Sequence, residues 1–384
     1  MDGFALTEPE LRERRGAKWH HFPEDVLPAW VADMDFPVPE PVQAAIKAVV
    51  DRGDYGYPRR DGRDRIQEAF SERMAERFGW EPDPDCVLPV ADLVQAMTAC
   101  LVAFSDEGEG VVVQTPVYPP FLATIDQTRR RRDSAPLLDT GERFVSDQRS
   151  LTACLHNDTR VVMLCNPHNP TGRVFEREEL AAIGHLAVER DLVIVSDEIH
   201  CDLVYAGATH LPMAKLSHEI AARTVTLNSA TKGFNIPGLR CGVMHFGSRG
   251  LLERFRARVP DRLLGGFNVV GHDATVAAWR EGQPWLDQVL KLLLDNRDRV
   301  ARWVEERAPA IRHHKPEATY LAWLDCAGLD LPMPPQEWFL ERAKVGMNAG
   351  RDFGPEGESC VRLNFATSPE ILEKILARLS AALP

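Results

Sequence analysis

A chain of 384 residues accommodates one large domain with a smaller companion, and 44% hydrophobic with 27% charged residues is the composition of an ordinary globular enzyme. A formal net charge of −12 without a basic stripe argues against nucleic acid or an anionic membrane as partner. The dense basic run Arg129 to Arg132 is short and reads as a solvated helix end or strand edge.

In chain order, the opening MDGFALTEPELRERRG is charged and has no apolar core, so it is not read as a signal peptide. Pro28 to Phe36 predicts an isolated strand and turn. Pro39 to Val50 and Arg63 to Phe78 predict amphipathic helices, and Asp92 an N-cap for a helix through LVQAMTACLVAF. Short apolar runs then follow at 111–114, 160–165, 191–196, 223–228 and 241–246, separated by helical or loop segments. Such runs fit strands covered on both faces, and their alternation with helices predicts a mainly parallel α/β sheet. Ligands bind such sheets at the carboxyl ends of the strands. From Trp285 a long helix leads to a β-rich stretch (ATYLAWLDC, CVRLNFAT) and a final helix, PEILEKILARLSAAL. This divides the chain into a large domain over 46–282 and a small α+β domain made of 1–45 and 283–384.

The eight cysteines are scattered, none in a CxxC spacing, and several lie in apolar runs. Reduced thiols in a cytoplasm fit this pattern better than a disulfide framework or a zinc site, so no metal centre is expected. No apolar run is long enough to span a bilayer.

The chemistry lies just after the predicted strands. NPHNPTG (166–172) makes a stiff loop that can hold the Asn169 amide over a ligand. In SDEIH (196–200), Asp197 follows an apolar strand, where an anion needs a cationic partner to offset its desolvation. LNSATKGFNIPGLRCG (227–242) sets Lys232 between Ser229 and Arg240, which can hold a phosphate. Each piece alone is ordinary: glycine-proline loops are common and most lone lysines are surface lysines. Their order, asparagine loop, then aspartate, then lysine with serine three before and arginine eight after, is specific.

That order resembles the fold-type I pyridoxal-phosphate enzymes of the aspartate aminotransferase superfamily. AWVADMDF (29–36), YGYPRRDG (55–62), QTPVYPPF (114–121), SDEIHCDLVY and VRLNFAT (361–367) also occur in the family's order, and within it the chain resembles the MalY/PatB branch of cystathionine β-lyases, mainly through WVADMDF, SDEIH and VYPPF. The resemblance implies an α/β large domain with a mainly parallel, seven-stranded type of sheet. It implies that Lys232 attaches to the cofactor aldehyde and later moves protons. Asp197 is expected to pair with the ring nitrogen, Asn169 with the ring oxygen, and Tyr118 to stack on the ring. Ser229, Arg240 and the amides of Leu93 and Val94 are expected at the phosphate, with Tyr57 reaching it from the other subunit of a homodimer. Arg362 is expected to clamp the substrate carboxylate with Asn169, beside Tyr118 and Ala32. Two departures stand out. His200 occupies the place where aminotransferases carry tyrosine, and either a proton-transfer or a supporting role fits it. VADLVQA lacks a glycine at the phosphate turn, so Asp92 is expected to cap its helix turned away from the phosphate.

The reaction so implied is α,β-elimination of an L-cysteine S-conjugate, cystathionine by default, to a thiol, pyruvate and ammonia. Transamination, and a tailoring lyase or decarboxylase acting on a bulky cysteine conjugate, are the alternatives. A regulatory protein on the same scaffold is disfavoured by the retained Lys232, Asp197, Asn169 and Arg240.

Overall fold

In a computed structural model, which describes residues 4–57 and 64–384, the apolar runs assemble into one sheet of seven strands. They are β1 (Val87–Val90), β2 (Gly110–Val113), β3 (Arg131–Ser134), β4 (Thr159–Cys165), β5 (Val193–Asp197), β6 (Thr224–Asn228) and β7 (Gly242–Phe246). Their spatial order is β1-β7-β6-β5-β4-β2-β3. Only β7 runs antiparallel, to both of its neighbours, and the other pairings are parallel. Successive side chains point to opposite faces. Val111, Val113, Val161, Met163 and Val195 therefore pack with the helix Leu93–Phe104. Val112, Val162, Leu164 and Ile194 pack with Leu180, Ile183 and Ala187 of the helix Arg177–Glu189 on the other side. A sheet covered on both faces explains why these strands read as continuous apolar runs.

The basic run ends in the edge strand β3, where Arg131 pairs with Asp133 and Asp158 and Arg132 with Asp126. β1 was not foreseen, because a four-residue edge strand containing Pro89 carries little periodic signal. The expected helix starts shift slightly: the helices run Glu40–Arg52 and Arg65–Phe78, the latter capped by Asp64. The expected start at Arg63 and the Pro58 to Gly62 part of the YGYPRRDG motif lie outside the described residues.

A second, antiparallel sheet contains β8 (Arg312–His313), β9 (Leu321–Asp325), β10 (Asn348–Ala349) and β11 (Cys360–Asn364) in the order β8-β9-β11-β10. The long helix Gln283–Arg307 and the final helix Pro369–Ala381 flank it. From the N-terminal segment only Leu27–Pro28 is a strand, pairing in parallel with Val345–Gly346. Trp30 to Phe36 is irregular, not the strand and turn expected. All eight cysteines are free. Among the described residues no helix is long and apolar enough to cross a membrane.

Candidate active site

The three chemical motifs converge because their strands are neighbours. Asn169 sits in the loop after β4, Asp197 ends β5, and Ser229 to Lys232 follow β6. The start of the helix Leu93–Phe104 and the strap Trp30 to Ala32 close a cavity of about 360 Å³ over these strand ends. Tyr118, His200, Arg240 and Arg362 also line it, so nine of the predicted site residues besides Lys232 and Ala32 meet at one place: Leu93, Val94, Tyr118, Asn169, Asp197, His200, Ser229, Arg240 and Arg362.

The charges in this cavity are unusual. The Asp197 carboxyl is buried, accepts a hydrogen bond from Ile199 N at 3.1 Å, and has no salt-bridged cation among the described residues. Burial therefore raises its pKa to about 7, against that amide and with Glu198 adding repulsion. Arg362 is the mirror case: a buried guanidinium without a carboxylate partner among the described residues. Its nitrogens donate to Asn169 Oδ1 (2.9 Å), Asn348 Oδ1 (2.7 Å) and the Trp30 carbonyl (3.2 Å), and burial lowers its pKa to about 10. It remains a cation at neutral pH. Lys232 Nζ donates to the Ala32 carbonyl at 2.8 Å. Burial brings its pKa down to about 8, with Asp33, Asp197 and Asp92 opposing and Arg362 reinforcing the shift. His200 is held neutral, its pKa lowered to about 3 by burial and by the Lys232 and Arg362 charges, and its Nδ1 is buried without a hydrogen-bond partner.

At the other end of the cavity two expectations are corrected. Asp92 does cap its helix, its Oδ1 accepting from Val94 N (2.8 Å) and Gln95 N (3.1 Å). It is not turned away, however: it lines the cavity, and its Oδ2 lies 3.2 Å from Arg240 Nη2. The Val94 amide is thus already donated to the cap, which leaves the Leu93 amide as the open N–H of that first turn. Ser229 Oγ caps its own short helix by accepting from Thr231 N, and donates to the Cys241 carbonyl at 2.6 Å. Serving an anion requires that hydroxyl to turn.

Tyr57 is placed apart from the rest. Its side chain is 96% exposed and does not line the cavity of its own chain.

Sequence reasoning missed the residues that hold the strap. Asn364 Nδ2 donates to the carbonyls of Val31 (2.6 Å) and Asp33 (2.7 Å), and Tyr320 Oη donates to Ala32 O at 3.1 Å. Asn235 accepts from Met34 N (3.0 Å) and donates to the carbonyls of Met34 (3.0 Å) and Phe36 (2.9 Å). Lys18 and Asp35 form a buried pair at 2.8 Å beside it. The one local signal was Asn235 itself, a residue type that tolerates the left-handed backbone it adopts at φ 57°.

A model of the family "Aminotransferase class I and II" matches residues 31–379. The chain belongs to this family. Cystathionine β-lyase PatB of Bacillus subtilis is 36% identical to it over 94% of this chain and 93% of its own length. Among solved structures, OvoB superposes with a TM-score of 0.92 at 36% identity, covering 97% of both chains. Cystalysin from Treponema denticola, whose structure contains a pyridoxal 5′-phosphate cofactor, superposes with a TM-score of 0.91 at 28% identity over 97% of this chain and 96% of its own. The side chains here suit a phosphorylated pyridine aldehyde of the kind that the cystalysin structure contains. A buried carboxylate lacking a cation among the described residues matches a protonated ring nitrogen, and Lys232, whose proton burial makes easier to lose, matches an aldehyde. The open helix start with Arg240 matches a phosphate.

Proposed function

We propose that this enzyme uses pyridoxal 5′-phosphate to cleave the carbon–sulfur bond of an L-cysteine S-conjugate, cystathionine being the reference substrate, and releases a thiol, pyruvate and ammonia. The observation that carries the reading is one cavity holding an unpaired buried cation, Arg362, and a lysine of lowered pKa, Lys232. An amino acid supplies the groups that both lack: a carboxylate for the first and a proton at Cα for the second. The choice of bond is supported by relatives named cystathionine β-lyase that align over nearly all of the chain.

Held by Asp197 at the ring nitrogen, Asn169 at the ring oxygen, Tyr118 at the ring face, and Leu93, Ser229 and Arg240 at the phosphate, the cofactor supplies an aldehyde for the substrate amine and a ring that draws electrons from the bonds at Cα. Arg362 binds the substrate carboxylate through two parallel nitrogens, and Asn169 and Asn348 fix that guanidinium. Lys232 Nζ removes the Cα proton and keeps it as an ammonium that donates a hydrogen bond to the Ala32 carbonyl. The sulfur leaves with the bonding pair and takes up that proton as a thiol, and water hydrolyses the released three-carbon enamine to pyruvate and ammonia. His200, neutral and without a partner at Nδ1, supports the pocket by its ring and exchanges no proton near neutral pH. The cavity is lined by three cationic side chains among the described residues, Lys232, Arg240 and Arg362, each with a task, so none is left for a side-chain carboxylate. That disfavours an aminotransferase for aspartate or glutamate.

The exposed Tyr57 supports a homodimer in which this phenol serves the partner's phosphate site. Unpaired cysteines throughout suit a reducing compartment such as the cytoplasm. The test is to mix enzyme and cystathionine and assay free thiol and pyruvate together. Equal amounts of both support the reading. Amine retained on the cofactor without any thiol overturns it in favour of transamination.

A further inference from the structure

Around Lys232 the charges pair off until one carboxylate is left. Asp35 takes Lys18 at 2.8 Å, both buried, and also accepts from Trp19 Nε1 at 2.8 Å. Asp92 takes Arg240 at 3.2 Å. In the function proposed above, Asp197 faces the cofactor ring and Arg362 the substrate carboxylate. His200 is neutral, and Tyr320 and Tyr118 are phenols that burial keeps protonated. Asp33 remains. Among the described residues its Oδ1 accepts only from Met34 N at 3.1 Å, and Lys18 Nζ reaches its backbone carbonyl (3.2 Å) instead of its carboxyl. No salt bridge engages that carboxyl among the described residues.

Position supports the same choice. Lys232 Nζ bonds the carbonyl of Ala32, the residue just before Asp33. Asn364 pins the carbonyls on both sides, at Val31 and at Asp33, so the backbone of Asp33 is anchored next to the carbonyl that receives the amine. On its other side Asp33 lines a second cavity of about 330 Å³, between the N-terminal helices and the Asn235 to Leu239 loop, which gives the carboxylate a solvated face.

We propose that Asp33 is the counter-charge of Lys232, a positioning residue that keeps the proton collected from Cα on Nζ until the departing sulfur takes it. The inference rests on the lyase reading for its chemical purpose. Nζ gains the Cα proton, the Cβ–S bond breaks with its electron pair on sulfur, and the same proton passes to sulfur, leaving Nζ neutral. Burial and the Arg362 charge both work against an ammonium at this place. The Asp33 carboxylate, which also feels Lys18 but joins no salt bridge among the described residues, offsets them. Burial also lifts Asp33 above the ordinary carboxylate range while Lys18 and Lys232 hold it down, so the pair stabilises both members.

The experiment uses the cofactor-free protein. The rate at which trinitrobenzenesulfonate modifies Lys232, read by peptide mass spectrometry, is followed against pH in wild type, Asp33→Asn and Asp33→Glu. Asparagine preserves the acceptor for Met34 N and removes only the charge. The wild-type midpoint is expected at about 8. It should fall by about one pH unit in Asp33→Asn and return in Asp33→Glu. If asparagine does not fold, Asp33→Ser, another small acceptor for the same amide, carries the test. A midpoint that is the same with and without the carboxylate overturns the proposal, whatever the enzyme cleaves. A shifted midpoint in an enzyme that releases no thiol supports the counter-charge and overturns the lyase reading.

Discussion

Two parts of the active site are held in different ways. Asp197 and Lys232 stand at or just beyond the ends of fully buried neighbouring strands, β5 and β6, whose ladder fixes their backbones. Trp30 to Phe36 crosses the cavity without a strand partner, and side chains of Arg362, Asn364, Lys232, Tyr320 and Asn235 satisfy its carbonyls. The first arrangement is fixed by the sheet and, in the proposed function, serves the cofactor. The second depends on a handful of replaceable hydrogen bonds and, in the same reading, serves the substrate. Substitutions in the sheet-held half should therefore abolish chemistry or cofactor retention, and substitutions in the strap should alter substrate handling while the cofactor stays in place.

The largest effect is expected at Lys232. Lys232→Ala removes the amine that takes the proton and should lower pyruvate release by about 10³-fold or more. It should also abolish the absorption of the lysine-bound cofactor. A variant that retained both would place the reacting amine elsewhere.

Asp197→Asn tests the sheet-held half through stability and pH. In the cofactor-free fold the Asp197 pKa is raised to about 7. The folded state then binds a proton that the unfolded chain has released, so this group's contribution is present at low pH and is lost as pH rises toward 7. Asparagine does not titrate. Cofactor-free Asp197→Asn should therefore gain stability relative to wild type across about pH 4 to 7, by at most about 1.4 kcal/mol per pH unit. With cofactor bound the order should reverse, because the proposed function makes the lost carboxylate the partner of the ring nitrogen. Denaturant unfolding at several pH values, with and without cofactor, measures both. A pH-independent difference between the two proteins would mean that Asp197 is ionised in the empty fold.

This contrast also explains what was legible in the sequence. Buried parallel strands leave continuous apolar runs, and residues just after them are placed by the sheet. Asn169, Asp197, Ser229, Lys232 and Arg240 could thus be assembled from spacing and from family resemblance. The strap leaves no such trace. Its order comes from Asn364, Tyr320 and Asn235, which are 199 to 333 positions distant along the hydrogen-bonded pairs. The role of Asp92 failed for a related reason: one carboxylate caps a helix and binds Arg240 at once, which periodicity does not reveal.

Arg362 joins the two halves, since it reaches Asn169 on one side and the Trp30 carbonyl on the other. Arg362→Lys keeps a charge but loses the planar fork. KM for the amino acid should rise by about 100-fold, the worth of charge-assisted bonds of this kind, with a smaller change in kcat. An unchanged KM would remove the carboxylate from this position.

The smallest effect, and the sharpest separation of the two halves, is expected at Asn235. It contributes three hydrogen bonds to the strap, one from Met34 N and two to the carbonyls of Met34 and Phe36. Its backbone is left-handed, so alanine would add strain to the loss of those bonds, whereas glycine accepts the same φ without penalty. Asn235→Gly therefore isolates the hydrogen bonds. A loosened strap moves the Ala32 carbonyl that receives Lys232 and the Trp30 carbonyl that receives Arg362, which should reduce kcat/KM by about tenfold, the equivalent of about 1.4 kcal/mol. In the proposed function the cofactor is held by the strand ends and the helix start at Leu93, so its absorption and its dissociation should match wild type. If cofactor retention falls in step with kcat/KM, the strap and the strand ends behave as one unit, and the division between a cofactor-holding sheet and a substrate-facing strap is wrong.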